Sequence, residues 1–176
     1  MDPNSSNKIK RLLRIRLKHY KATTLQRYLA GRHYIELYRM DTATITYLGD
    51  LRTECTHVRS GGSFITDAPV DNKGKGAAFS PTDLLATSLA SCMMTTMAIV
   101  AADKGIPVKG LTARVVKHMT SGPRRVERVE IHMEMDGKEL DVKARSIMEH
   151  TAHTCPVALS LNSSLIQDIS LVFLEN

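Results

Sequence analysis

Tryptophan is absent from the 176 residues, aromatic residues make up only 5% of them, and cysteine occurs three times. A small, odd number of cysteines is not the pattern of a secreted disulfide framework, so a reducing, cytoplasmic location is predicted. The N-terminus lacks the apolar segment of a signal peptide, and no apolar run approaches the roughly 18 residues of a membrane span. With so few aromatic residues, the core must be built from aliphatic side chains and the nine methionines.

The net charge of +6 is concentrated in residues 1–39, which hold ten Lys and Arg against two acidic residues. Residues 40–176 hold fourteen Lys and Arg against sixteen acidic residues. A nucleic-acid-binding domain carries its basic surface on the folded part, so nucleic acid is not an expected partner. Residues 8–30 fit a basic amphipathic helix, which could serve as a membrane-surface, nucleic-acid or transit segment. The change of composition at Met40 favours the other interpretation, a solvated extension or sequence upstream of the true start. We therefore divide the chain into a basic extension, 1–39, helical or disordered, and one domain, 40–176.

The domain is predicted to be α+β, with the element order βββ-α-ββ-α-β and no βαβ alternation of the nucleotide-binding kind. Turn residues such as Gly49-Asp50 and Gly122-Pro123 separate the segments of strand-like alternation. The predicted strands are 44–48, 52–59, 63–67, 111–120, 125–136 and 164–175, and the predicted helices are 81–104 and 138–153.

The first helix, "PTDLLATSLASCMMTTMAIVAADK", has clear signals at both ends. Ser80 is the predicted N-cap, Pro81 takes the first helical position, and Asp83 is a capping-box partner. Gly105 ends the helix. Apart from its Ser and Thr side chains, the helix is apolar on nearly every side. We therefore expect it to be buried at the centre of the protein or at a subunit interface.

Cys92 lies near the middle of this helix, and Cys155 lies in "AHTCPV", at a helix-to-turn junction after the second helix. A single cysteine on an apolar face is most often inert packing. A pair within reach of each other can instead react with a peroxide, since one thiolate forms a sulfenic acid and the second thiol condenses with it to a disulfide. The attacking sulfur needs a positive or hydrogen-bonding neighbour, for which Arg59 and His153 are candidates.

Metal binding is the competing use of these side chains. Cys92, His150, His153 and Cys155 could be assembled into a zinc set, but their spacing is not that of a zinc finger or ribbon. Cys55, on a predicted strand, is interpreted as packing.

The segments "GKGAAFSPTDLLATSLASCMMTTM" and "AHTCPV", in this order and at this separation, resemble the OsmC/Ohr family of osmotically inducible protein C and organic hydroperoxide resistance proteins. The resemblance covers residues 44–175 and is closer to the OsmC-like branch. It implies an intertwined homodimer in which antiparallel sheets surround two central helices.

The same resemblance implies a function. Cys92 matches the cysteine that attacks the peroxide and Cys155 the resolving cysteine, so organic hydroperoxides would be reduced to alcohols. The disulfide would be regenerated by a dithiol or lipoyl-type reductant, and neither a metal nor an organic cofactor would be needed. An apolar lining of Met and Leu would favour fatty or aryl hydroperoxides over hydrogen peroxide.

The chain departs from the hydroperoxide resistance branch at two places. That branch has Glu directly after the helix-starting proline, where this chain has Thr82, and Asp83 is one position further on, about 100° round the helix. The branch also takes an Arg from a Gly-Gly-Arg turn, whereas Arg59 precedes Gly61-Gly62. These departures keep open an alternative function, a non-enzymatic small-ligand-binding or redox-sensing protein of the same fold.

Overall fold

Six β-strands, three α-helices and one short 3-10 turn make up residues 41–175, the part of the chain that the computed structural model describes. The basic extension of residues 1–39, with its expected amphipathic helix, lies outside the described residues. The strands are β1 (Ala43–Gly49), β2 (Arg52–His57), β3 (Ser63–Asp67), β4 (Thr112–Ser121), β5 (Arg124–Asp136) and β6 (Ile166–Leu174), and the helices are α1 (Pro81–Lys104), α2 (Val142–Ala152) and α3 (Pro156–Ser160). The predicted α+β class and element order are confirmed, with α3 as an additional short helix.

The described residues form two compact units, a smaller one with residues 41–45 and 56–63 and a larger one with residues 46–55 and 64–175. A three-stranded sheet has the order β1-β2-β3. Within the smaller unit, the Val58 N–H donates to the Thr42 carbonyl at 3.1 Å. The turn that follows β2 is closed by the Gly61 N–H, which donates to the His57 carbonyl at 2.9 Å, and by Ser60 Oγ, which lies 2.7 Å from His57 Nδ1.

The second sheet, in the larger unit, has the order β4-β5-β6. β4 and β5 are antiparallel, with Val115 opposite Ile131, whereas β6 runs parallel to β5, with Ile131 opposite Ile169. The sheet is therefore mixed, and the expectation of antiparallel sheets is wrong for this edge. Alternation of apolar and polar residues reports which face of a strand is buried but not the direction of the neighbouring strand, so the pattern could not reveal the parallel pair.

Helix α1 begins and ends where the sequence predicts. The Ser80 side chain accepts the Asp83 N–H, the Asp83 side chain accepts the Ser80 N–H, and Gly105 has the left-handed backbone, φ 65°, that glycine adopts without strain. One side of the helix packs on the second sheet and on α2 and α3. Leu89, Met93 and Met97 on this side are fully buried.

Methionines dominate the core, as the composition predicts. Met133 and Met135 of β5 and Met148 of α2 are fully buried beside those of α1. The opposite side of α1 is exposed in the chain, since Ser91 and Thr95 are both open to solvent. The expectation that α1 is buried at the centre of the protein or at a subunit interface is therefore met within the chain by one side of the helix.

Helix α2 begins four residues later than predicted, at Val142 rather than Lys138. Residues 138–141 form a turn instead, in which the Leu140 N–H donates to the Gly137 carbonyl at 3.0 Å. Asp141 is the N-cap, and its carboxylate accepts the Ala144 N–H at 2.7 Å. A cap formed by Asp stops the helix from extending toward β5.

By length and composition, α1 could also cross a membrane. This finding corrects the expectation that no apolar segment reaches that length. The central helix of a protein core has the same length and apolar character, and α1 buries one side against the second sheet.

Candidate active site

Cys92 lies about three turns into α1, between the buried and exposed sides of the helix. The residue is half-buried and packs against the apolar core. Its carbonyl accepts a hydrogen bond from Thr96 Oγ1 at 2.8 Å, so the Thr96 hydroxyl is directed back along the helix. The Cys92 side chain thus combines an apolar setting with partial access to solvent.

Cys155 is fully buried at the junction of α2 and α3. It is the N-cap of α3, and its Sγ accepts the Ala158 N–H at 3.3 Å, the role that a Ser or Asp oxygen usually has. Pro156 occupies the first helical position, where its missing N–H costs nothing. Pro156 therefore starts α3 directly after Cys155.

The structure brings Cys92 and Cys155 together. Helix α1 packs against α2 and α3, and both cysteines belong to the same apolar cluster. Burial raises the pKa of the Cys155 thiol, and its interactions with Cys92 raise it further, against the opposing effect of the Ala158 and Val157 N–H groups. Cys155 is therefore a neutral thiol at neutral pH beside a second, more accessible sulfur. All three cysteines of the chain are free thiols.

A lysine that the sequence analysis did not select holds the N-terminus of α1. The Lys117 ammonium donates to Asp83 Oδ1 at 2.5 Å, to Thr82 Oγ1 at 2.8 Å and to Ser80 Oγ at 3.1 Å. Its side chain is only 17% exposed. One signal could have identified it, because Lys117 takes an inward-facing position of β4, between Val115 and Met119, where a charge needs a partner.

The carboxylate of Asp83 is stabilised by these contacts. Burial acts to raise its pKa, but the hydrogen bonds from Lys117 and Ser80 outweigh burial, so the pKa lies below its ordinary value. Thr82 and Asp83, the two helix-start residues selected from the sequence, are thus brought together around one cation. Asp83 and Thr82 are nine and ten residues before Cys92, so they lie about 14 Å and about 15 Å from it along the helix axis, at a rise of 1.5 Å per residue.

The loop that leads into α1 is held by a buried carboxylate. Asp67 is fully buried, its Oδ2 accepts the Ala77 N–H at 2.9 Å, and Arg52 Nε lies 3.8 Å away. At Gly74, a Cβ atom would meet the Ala68 carbonyl oxygen at 1.7 Å, so the loop closes too tightly for any side chain there. These contacts fix the chain directly before the capping box of α1.

The other two selected side chains are exposed. Arg59 lies on the turn after β2, in the smaller unit, and His153 is the C-cap of α2, two residues before Cys155. Their roles beside the sulfurs stay predictions.

The described residues contain no group of three His, Cys, Asp or Glu side chains that could hold a metal ion. The alternative zinc set around Cys92 and Cys155 therefore has no support from the geometry of residues 41–175. Cys55 lies half-buried on β2, with Sγ 3.9 Å from Thr53 Oγ1.

Comparison with known proteins places these features in a wider group. A family model described as OsmC-like protein matches residues 74–169, which include both Cys92 and Cys155. A crystal structure from Psychrobacter arcticus 273-4, described in terms of osmotic stress induction and detoxification response, is 52% identical, with a TM-score of 0.71, and the match covers 75% of this chain and 96% of that one.

More distant structures share the fold. An OsmC-like protein from Mycoplasma pneumoniae is 17% identical with a TM-score of 0.61, over 77% of this chain and 99% of that one. A Legionella pneumophila structure described as the organic hydroperoxide resistance protein OsmC is 16% identical with a TM-score of 0.61, over 77% of this chain and 98% of that one. The search of curated proteins gave no match.

Proposed function

Because the chain belongs to the OsmC-like protein family, we propose that it is a thiol peroxidase that reduces organic hydroperoxides to alcohols. The observation that carries the proposal is the pair of free thiols, Cys92 and Cys155, which interact with each other in the apolar core where α1 packs against α3. The names of the hydroperoxide resistance proteins among the distant structures agree with it.

The two sulfurs have different surroundings, and these support different roles. Cys92 is half-buried, so a substrate can reach its sulfur, whereas Cys155 is fully buried and its raised pKa keeps it protonated. Only a thiolate attacks a peroxide efficiently. We therefore assign the attack to Cys92 and resolution to Cys155.

The proposed cycle has three steps. The Cys92 thiolate attacks the outer oxygen of the hydroperoxide, the O–O bond breaks, and the alkoxide leaves and takes up the proton that the thiol released, which gives the alcohol and a Cys92 sulfenic acid. The Cys155 sulfur then attacks the Cys92 sulfur, an S–S bond forms, and the hydroxyl leaves with the thiol proton as water. A dithiol reductant, lipoyl-type or free, reduces the disulfide and is itself oxidised.

The surroundings of Cys92 favour an apolar substrate. Met94 and Leu85 are half-buried beside the core on which Cys92 packs. Apolar surface contributes binding energy to fatty or aryl hydroperoxides but none to hydrogen peroxide. No step of the cycle requires a metal or an organic cofactor.

The exposed side of α1 is the proposed dimer interface. The exposed side of α1, with Ser91 and Thr95, would be covered by a second α1 in a homodimer, and small side chains there would allow close approach.

Thr82 and Asp83 would fix the start of the helix that carries Cys92, while Arg59 and His153 stay candidates for stabilising the sulfurs. A reducing cytoplasm would keep the three free thiols reduced.

Stopped-flow oxidation of the reduced protein by cumene hydroperoxide tests the proposal. The wild type and Cys55→Ser, a matched control at a third free thiol, should react rapidly and form an intramolecular disulfide. Cys92→Ser should not react, and Cys155→Ser should stop at the sulfenic acid, which a dimedone adduct reveals by mass spectrometry. A slow reaction that is indifferent to Cys92 contradicts the proposal, and a copurified small ligand with unreactive thiols would support the binding-protein alternative.

A further inference from the structure

A cavity of about 480 Å³ opens between the end of α1 and the start of α2. It contains neither cysteine, and Lys104 on its rim is twelve residues beyond Cys92, about 18 Å along the helix at 1.5 Å per residue. Its volume is within the range of about 300–1,000 Å³ that holds small organic molecules in proteins. The proposed peroxidase cycle makes no use of this cavity.

The inner wall of the cavity is apolar. Ile106 and Pro107, which follow α1, face Leu140, Ala144 and Ile147 at the start of α2. Leu140 is buried and the other four are half-buried, so these side chains present aliphatic surface to the cavity. Such a surface gains free energy by covering an alkyl chain, at roughly 25 cal/mol per Å².

Contacts from outside the cavity hold this wall in place. Arg145 Nε donates to the Leu140 carbonyl at 3.1 Å, and its Nη2 donates to the Gly137 carbonyl at 2.9 Å. The Arg145 guanidinium also lies 5.2 Å from the centre of the Phe173 ring. The loop is therefore fixed before any ligand arrives, which lowers the entropic cost of binding.

The rim carries an excess of one positive charge. Two ammonium groups and two carboxylates line the cavity, and one of the carboxylates, Glu139, is neutralised by Lys109 at 2.6 Å. The Asp141 carboxylate accepts the Ala144 N–H as the α2 cap and keeps its negative charge. Within the described part of the chain, no ion pair engages Lys104 or Lys143, although both line the cavity. Both ammonium groups thus remain available to an anion at the mouth.

We propose that this cavity binds an anionic amphiphile, a carboxylate with an alkyl chain, whose chain covers Ile106, Leu140 and Ile147 while Lys104 and Lys143 face its head group. Lysine ammonium groups attract carboxylates as point charges, and the aliphatic wall requires a tail. Neither acetate nor an uncharged alcohol satisfies both parts of the cavity.

Isothermal titration of the reduced full chain with octanoate, acetate and octanol tests the site. Octanoate should bind saturably and more tightly than acetate or octanol. The double variant Lys104→Glu/Lys143→Glu should weaken octanoate binding at least about tenfold, that is about 1.4 kcal/mol. The control Lys73→Glu/Lys75→Glu has the same charge change at two exposed residues that do not line the cavity, and it should bind like the wild type.

A second variant separates this cavity from the cysteine site. Ala144→Phe fills the cavity without changing the charge and should abolish octanoate binding, whereas Cys92→Ser should leave it intact. Urea unfolding of each variant shows that it is folded. If octanoate does not bind saturably, or if it binds Ala144→Phe and the double Glu variant as well as the wild type, the inference is wrong, whatever the outcome of the peroxide experiments.

Discussion

Replacing Lys117 by methionine removes the cation that holds the N-terminus of α1 while keeping the length and apolar stem of the side chain. The ammonium donates to three oxygens, one of them the charged Asp83 Oδ1 at 2.5 Å. A hydrogen bond to a charged group is worth about 1.5–3 kcal/mol when it is buried. Because the Asp83 side chain is 38% exposed, water can partly replace the ammonium, so we expect the variant to lose about 1–3 kcal/mol of unfolding free energy.

Urea unfolding at fixed protein concentration measures this loss. In a double-mutant cycle with Asp83→Asn, the coupling energy should be about 0.5 kcal/mol or more, since the two side chains share one contact. Lys109→Met is a matched control, because Lys109 pairs with Glu139 at 2.6 Å on an exposed surface, and it should destabilise the protein less. A Lys117→Met variant as stable as the wild type, within about 0.5 kcal/mol, would show that the ammonium does not stabilise the start of α1.

The same contact has a defined pH dependence. The pKa of Asp83 is lower in the folded protein than in the unfolded chain, where a carboxyl titrates at about 3.9. Its contribution to stability is therefore fully present above that value and is lost as the pH falls through the folded pKa. The stability difference between wild type and Asp83→Asn should shrink in this acidic range, and a difference that stays constant there contradicts the assignment.

Three further predictions follow from single contacts. Met93→Ala removes a fully buried side chain of α1 and should cost about 2–5 kcal/mol by urea unfolding, whereas Ser91→Ala on the exposed side should change little. Gly137→Ala places a Cβ atom 2.7 Å from Phe173 Cβ and should cost about 1–3 kcal/mol of unfolding free energy. An unchanged urea midpoint would show that the loop can move to relieve this contact. Folding raises the pKa of the Cys155 thiol above its unfolded value of about 8.5. The contribution of this thiol to the free energy of unfolding is therefore complete below that value and is lost as the pH rises through the folded pKa. In this alkaline range the stability of the wild type should fall relative to that of Cys155→Ala.

Local signals predicted the parts of the site that depend on neighbouring residues. Ser80, Pro81 and Gly105 place the ends of α1 because capping uses side chains within a few residues of the helix end. The prediction of helix at residues 138–141 is wrong because their composition suits both a helix and a turn. The turn is decided by a contact with the distant β6, since the Gly137 N–H donates to the Leu174 carbonyl at 2.9 Å.

Long-range contacts were not readable from the sequence. Lys117 reaches Asp83 across 34 residues, and only its inward position on β4 hinted that it needs a partner. Two cysteines 63 positions apart could be suspected of meeting but not shown to do so, because their approach depends on the packing of α1 against α3.

The parallel pairing of β6 with β5 has a consequence for biosynthesis. Parallel neighbours require a crossover, and here the crossover contains α2, α3 and Cys155. Cys92 emerges from the ribosome long before β6, the strand that follows this crossover. Domains generally fold as units. The nascent chain therefore presents Cys92 without its partner, and the two thiols come together only after β6 has been synthesised.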